Sequence, residues 1–236
     1  MNIETAIKRI LEIEGIPLGR IFSDEIRSEI ANGKINKGYS GQILELAIGL
    51  ELGTSLQDLD DGEIKTTILK NDYTKESIPI TMLNHLLEEM QTQLDWAETK
   101  VFHKIQNFLI VPCHKNSSNW KEWYFDKPIH ISLESHPKLY SKFEEDYIYI
   151  SKKMREVISN SSMVHTTNGP NYFLQIRTKD NKPYRPLEFH GKVLSTKQHA
   201  IFFTSRFIRE IVDFYRGTKG KTRHKLDLAK LLHSEA

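Results

Sequence analysis

The sequence predicts an α/β protein, on three observations. Residues 2 to 14 place Ile3, Ala6, Ile7, Ile10 and Leu11 on one face of an amphipathic helix. Residues 63 to 69 alternate Ile64 and Ile68 with Glu63, Lys65 and Thr67, the period of two that marks a strand. Helical and strand-like stretches then take turns to the end of the chain. With 236 residues, 39% of them apolar, the chain is long enough for one large domain or two lobes sharing a core.

Composition excludes several classes. Lys and Arg number 33 against 31 Asp and Glu, a net charge of +2, so any nucleic-acid binding must come from a local basic face. The single cysteine, Cys113, forms no internal disulfide; this fits a reducing compartment and a core-packing role. No apolar run approaches ~18 residues and the N-terminus alternates charge, so a cytoplasmic, non-membrane protein is expected.

Taken in order, a second short helix is expected after Ser23, with Asp24 and Glu25 in its first turn and Asn32-Gly33 at its close. A flexible turn, Asn36 to Gly41, carries Lys37, and Ser40 is placed to cap a helix from about Gly41. That helix, Gln42 to Gly49, is apolar almost all round, so Glu45 is either its wet edge or a carboxylate held inside. Next comes an acidic turn, Asp58-Leu59-Asp60-Asp61-Gly62, running into Glu63-Ile64-Lys65-Thr66. The strand period puts Glu63 and Lys65 on one face, roughly 6 to 7 Å apart. A reversal through Gly62 would return the Asp58 carboxylate beside Glu63. Two hard oxygen donors beside one lysine suit magnesium, which takes one or two carboxylates. The same residues also fit a hairpin turn with a solvated strand face.

Further on, Met82 to Gln93 predicts a helix over Leu83, Leu86, Leu87 and Met90. Asn116 to Asn119 leads into Trp120, Trp123 and Tyr124, aromatics that either stack on bases or pack beneath the loop. Ile129 to Leu133 alternates as a strand, and Tyr140 to Ile158 forms a long helix. His103, His114, His130 and His136 lack zinc-site spacing and are expected on the surface or in loops. Residues 159 to 170 suggest a mobile connection between lobes. A strand at 171 to 177, a polar basic loop at 179 to 186, a strand at 200 to 204 and a helix at 205 to 215 follow. The tail 217 to 236 is basic before Leu228, Leu231 and Leu232, fitting either a phosphate-backbone patch or a helix docking on a partner.

Four separated segments resemble the MutH-like endonucleases, the family of the mismatch-repair nicking enzyme and related GATC-cutting type II restriction endonucleases. Lys37-Gly38-Tyr39 with Leu44-Glu45 is similar to the family's Lys-Gly-Trp loop and its glutamate-bearing helix. Gln57-Asp58-Leu59 and Glu63-Ile64-Lys65-Thr66 resemble its Gln-Asp-Phe and Glu-Leu-Lys-Thr. Trp96, Glu98-Thr99 and His103-Lys104 resemble the stretch before a central strand, here Phe108 to Pro112. Tyr172 to Lys179 is close to Tyr-Leu-Gln-Ile-Arg-Pro-Lys, with Thr178 in place of the proline.

The resemblance implies a restriction-endonuclease-like PD-(D/E)xK fold, a mixed β-sheet flanked by helices, with two lobes around a DNA cleft. It implies one endonuclease domain over 1–236. Lobe one, about 1–115, would hold the acidic site; lobe two, about 116–216, the recognition segment; and 217–236 would be a basic tail. The expected cofactor is Mg2+ and the substrate double-stranded DNA, with a homodimer where both strands are cut. Asp58 and Glu63 would hold the metal, Glu45 complete the acidic cluster, Lys65 position water and Lys104 contact the scissile phosphate. Lys37, Gly38, Arg177, Thr178, Lys179 and Phe202 would face DNA. The family leaves six residues between its aspartate and glutamate, whereas four separate Asp58 from Glu63, so Asp60 and Asp61 stand as alternative ligands. Phe202 occupies the place of a tyrosine that senses adenine methylation in the mismatch-repair enzyme, and either fills the core or faces DNA. Type II restriction at GATC is the expected activity; repair nicking and a catalytically silent DNA-binding module are the alternatives.

Overall fold

The computed structural model describes residues 1–22, 39–50, 58–180, 182–218 and 228–232. The helix expected after Ser23, the Lys37-Gly38 loop and most of the basic tail lie outside the described residues. The chain divides into two compact units. The first joins Met1–Glu76 to Asn107–Ile131; the second joins Ser77–Gln106 to Ser132–Ala236. This division interleaves along the sequence and differs from a single cut near residue 115. Residues 159–170, expected to connect lobes, fall inside the second unit.

In the first unit, helices α1 (Ile3–Ile13), α2 (Leu18–Ile21) and α3 (Tyr39–Ala47) accompany strands β1 (Glu63–Leu69), β3 (Asn107–His114), β4 (Tyr124–Phe125) and β5 (Ile129–Ser132). The sheet is mixed: β1 runs parallel to β3, Glu63 opposite Phe108 through Leu69 opposite His114, and β4 joins β3 antiparallel. The Asn2 side chain accepts from Thr5 N at 3.0 Å, capping α1 where a short polar oxygen is favoured. Ile3, Ala6 and Ile10 of α1 and Ile43, Leu44 and Ile48 of α3 share one core with Ile64, Leu109, Val111, Cys113 and Phe125. Each buried Ile, Leu, Val or Phe among them stabilises by ~1.5–3 kcal/mol. Leu11, expected on that face, is 47% exposed, because the buried stripe of α1 is narrower than its apolar pattern. Helix α3 begins at Tyr39, so Ser40 sits in its first turn; its hydroxyl accepts from Thr66 Oγ1 at 3.0 Å and ties the helix to β1.

The second unit holds β2 (Ile78–Met82), α4 (Leu87–Thr92), α5 (Lys100–Ile105), α6 (Pro137–Ser159), β6 (Thr167–Asn168), β7 (Leu174–Thr178), β8 (Leu187–Phe189), β9 (Lys192–Ser195), β10 (His199–Phe203), α7 (Ser205–Tyr215) and α8 (Leu228–Leu232). Its sheet has the order β2-β10-β7-β6, and β8 pairs with β9 alone. The expected helix over 82–93 is broken: Met82 ends β2, Leu83–His85 is a 3-10 turn, and α4 follows. Leu83, Leu86, Leu87 and Met90 are still all buried, since both helix types return side chains to one face about every three residues. Strand β2 carries Pro79, which is tolerated because β2 is an edge strand. Phe143 of α6 packs against Phe173, Phe203 and Phe207, ring centroids 5.1–5.8 Å apart. Helices α6 and α7 therefore cover the β10 face that carries Phe203. Among the described residues, no helix is long and apolar enough to cross a membrane.

Candidate active site

The acidic turn builds a compact ion cluster on the first unit. A Leu59–Gly62 bridge, with Leu59 N donating to Gly62 O at 3.0 Å, reverses the chain immediately before β1. Glycine is required at position 62 because a Cβ there would stand 2.4 Å from Asn107 O. The reversal returns Asp58 to the strand, where its Oδ2 accepts from Ile64 N at 3.3 Å and from Lys65 Nζ at 2.8 Å. The same ammonium lies 2.6 Å from Glu63 Oε1. The Glu63 side chain is 5% exposed, Lys65 23% and Asp58 28%, so the cluster is buried at one end and open at the other. The alternative of a solvated strand face does not hold: Glu63 and Thr67 are buried.

Burial pulls the Lys65 ammonium toward its neutral form, but the charges of Glu63 and Asp58 and their hydrogen bonds outweigh it. Its pKa lies above the ordinary lysine value, and it is a cation at neutral pH. Glu45, half-buried on α3, has its carboxyl raised by burial and then by the charge of Asp58, with Lys65 opposing and Glu63 adding. A Cβ on Gly41 would lie 3.9 Å from both Glu45 Oε1 and Thr66 Oγ1, which places that carboxylate against β1. The other two acids of the turn face elsewhere. Asp60 Oδ2 is 2.8 Å from the Met1 amine and 75% exposed, and Asp61 Oδ1 accepts from Ile3 N at 2.7 Å.

Asp58 and Glu63 are two hard oxygen donors converging on one point, the donor number magnesium takes from protein. Among the described residues, no three His, Cys, Asp or Glu side chains gather to hold a metal by themselves. The donor set thus fits a cation that keeps other positions for water and phosphate oxygen, and not a closed zinc site.

The remaining expected residues lie on the second unit or outside the described residues. Lys104 is half-buried in the last turn of α5. Arg177, Thr178 and Lys179 are exposed at the end of β7. Ala200 pairs with Arg177 and Phe202 with Gln175, so these share one sheet face; Thr178, opposite His199, takes the other. Phe202 is 7% exposed, and the Arg177 guanidinium lies 5.5 Å from its ring centroid. What Phe202 presents outward is therefore that arginine. Trp120 and Trp123 pack against the first unit's core, and Trp123 Nε1 donates to Ser117 O at 2.7 Å. Cys113 is fully buried, which pushes its thiol up to about 12. His114, expected on the surface or in a loop, is buried in β3, 3.1 Å from Asp126 Oδ2 and stacked on Tyr124. Sequence reasoning missed Asp146. Its signal was an acid inside the apolar stripe Leu139, Phe143, Tyr147, Ile150 and Met154 of α6.

No curated protein matches the chain. Residues 51–140 match the family model described as DNA mismatch repair enzyme MutH, a span that includes Asp58, Glu63, Lys65 and Lys104 and leaves Glu45, Arg177 and Phe202 outside it. Over that span, which carries the ion cluster of the acidic turn, the chain is similar to the MutH family.

Proposed function

We propose that this protein is a magnesium-dependent type II restriction endonuclease that hydrolyses DNA phosphodiester bonds at a short site, GATC by resemblance. The observation that carries the reading is the convergence of Asp58 Oδ2 and Glu63 Oε1 on Lys65 Nζ, at 2.8 and 2.6 Å. Asp58 and Glu63 would hold the cation, with Glu45 completing the negative cluster; bound there, it would supply acidification of water and offset of charge developing on the phosphate. Lys65, kept protonated by its two carboxylates, orients the attacking water and adds positive charge beside the phosphate. Lys104 contacts the scissile phosphate. Asp60 and Asp61 are left to the N-terminus, which favours Asp58 as the ligand. Arg177 and Lys179, exposed at the end of β7, face DNA with Lys37 and Gly38, and a homodimer cuts both strands. The fold that accompanies this reading is restriction-endonuclease-like.

Repair nicking is the second reading, favoured by the description of the matching family model. One plasmid digest separates them. Purified protein with magnesium should yield linear fragments ending at GATC. A product that stops at the nicked circle supports the repair reading, and intact supercoiled plasmid at every enzyme concentration refutes the restriction reading.

A further inference from the structure

Helix α6 carries one acid inside its apolar stripe, and that acid has no exposure: Asp146 is 0% accessible, set between Phe143 and Tyr147. Its carboxylate accepts three backbone N–H groups from one turn. Oδ1 takes Asn171 N at 2.7 Å; Oδ2 takes Phe173 N at 2.7 Å and Leu174 N at 2.9 Å. Glycine is needed where the turn closes over the acid, since a Cβ at Gly169 would stand 2.1 Å from Asp146 Cγ. The far side of the turn is held by Thr204, whose hydroxyl donates to Tyr172 O and whose N donates to Phe173 O at 2.9 Å. Asn171 Nδ2 adds a bond to Lys142 O at 3.1 Å.

A buried carboxylate costs more than an apolar side chain of its size unless its bonds do something packing cannot. Here burial raises its pKa and the three backbone N–H groups lower it, burial being the greater. What the bonds fix is the starting point of β7, because Leu174 is both the last donor and the first strand residue. Arg177 follows three residues later, its guanidinium laid over Phe202 and donating to Ser77 Oγ. A strand held at its first residue delivers its later side chains at fixed heights, ~3.3 Å per residue.

We propose that Asp146 is a positioning residue for DNA readout: it anchors the turn from Gly169 to Leu174 and thereby sets where Arg177 and Lys179 meet the base edges. The inference rests on the reading of Arg177 and Lys179 as DNA-facing. Arginine reads guanine with a rigid two-pronged fork, so a small displacement of its strand weakens the specific contact and spares contacts to phosphate.

The test uses the full-length protein and its D146N variant, with fluorescence anisotropy on a GATC duplex and on a duplex with that site scrambled, without added metal. The amide keeps the shape but turns an NH2 toward a backbone N–H. The GATC-over-scrambled affinity ratio should fall about tenfold while scrambled binding holds, the scale of one base contact. A merely structural role would weaken both duplexes alike. Combined with R177A, D146N should lower the ratio by less than it does alone, because Arg177 is one of the two contacts that the turn positions. A D146N protein that keeps the wild-type ratio, or an equal added loss in the R177A background, overturns the inference. If circular dichroism shows D146N unfolded, T204V loosens the same turn by one hydroxyl and carries the same outcomes. Wild type binding both duplexes equally overturns the DNA-facing assignment of Arg177 and the inference with it. A wild type that discriminates beside a D146N that discriminates equally overturns the inference alone.

Discussion

Replacing Lys65 by methionine tests whether the ion cluster is a metal site in waiting. The ammonium neutralises two carboxylates at 2.8 and 2.6 Å, one of them only 5% exposed. Removing one partner of a buried ion pair costs ~3–5 kcal/mol, because the abandoned charge keeps its desolvation penalty. Asp58 is 28% exposed and turns partly to water, so the lower end applies and K65M should lose about 3 kcal/mol in urea unfolding without metal. Two uncompensated carboxylates then attract a divalent cation more strongly than the neutralised pair does. Magnesium at a hundredfold excess over its dissociation constant stabilises a folded protein by ~2.7 kcal/mol, so it should restore most of the loss in K65M. Plasmid cleavage should stay absent, since the residue proposed to orient water is gone. An unfolding midpoint for K65M equal to that of wild type without metal, or one that magnesium leaves unmoved, refutes the reasoning.

Asp58→Ala and Glu63→Ala should each abolish plasmid cleavage while leaving duplex binding in a gel shift largely intact. Asp61→Ala should cleave normally and lose roughly 1 kcal/mol of stability, as its carboxylate serves the first N–H of α1; a dead D61A with an active D58A reverses the ligand assignment. Glu45 has a raised carboxyl, so its native environment favours the protonated form. That contribution is fully present below the ordinary glutamate value of 4.5 and is lost as pH rises through the folded-state value. E45Q should therefore match wild type in melting temperature at pH 4 and exceed it at pH 8, and the opposite order refutes the assignment. Phe202 offers no hydroxyl and lies under Arg177, so plasmid with and without adenine methylation at GATC should be cut alike; complete protection by methylation sinks that expectation.

Period and turn chemistry are local, and where they decide structure the sequence was enough. The stripe Phe207, Ile208, Ile211 and Val212 marks α7 at Ser205–Tyr215, and Asp58 to Glu63 with Gly62 between them foretells the reversal that brings both carboxylates to Lys65. A period says which side chains share a face, and nothing about what covers that face. Alternation left Glu63 open between a metal ligand and a solvated strand face; it is buried, on a strand that pairs parallel with β3, whose run from Phe108 to His114 is buried on both faces. Partners distant in sequence are likewise invisible to any local pattern. The separation of 58 positions between Ile3 and Asp61 hid the bond that takes Asp61 away from the acidic cluster. The separation of 27 positions between Asp146 and Phe173 hid an acid that reads, on its own helix, as a misplaced polar residue in an apolar stripe. Sequence by itself determined the helices α1, α3, α6 and α7, the strand β1 and the acidic turn; tertiary structure decided which of the acids meet, because long-range backbone donors compete for carboxylates on equal terms with neighbours along the chain.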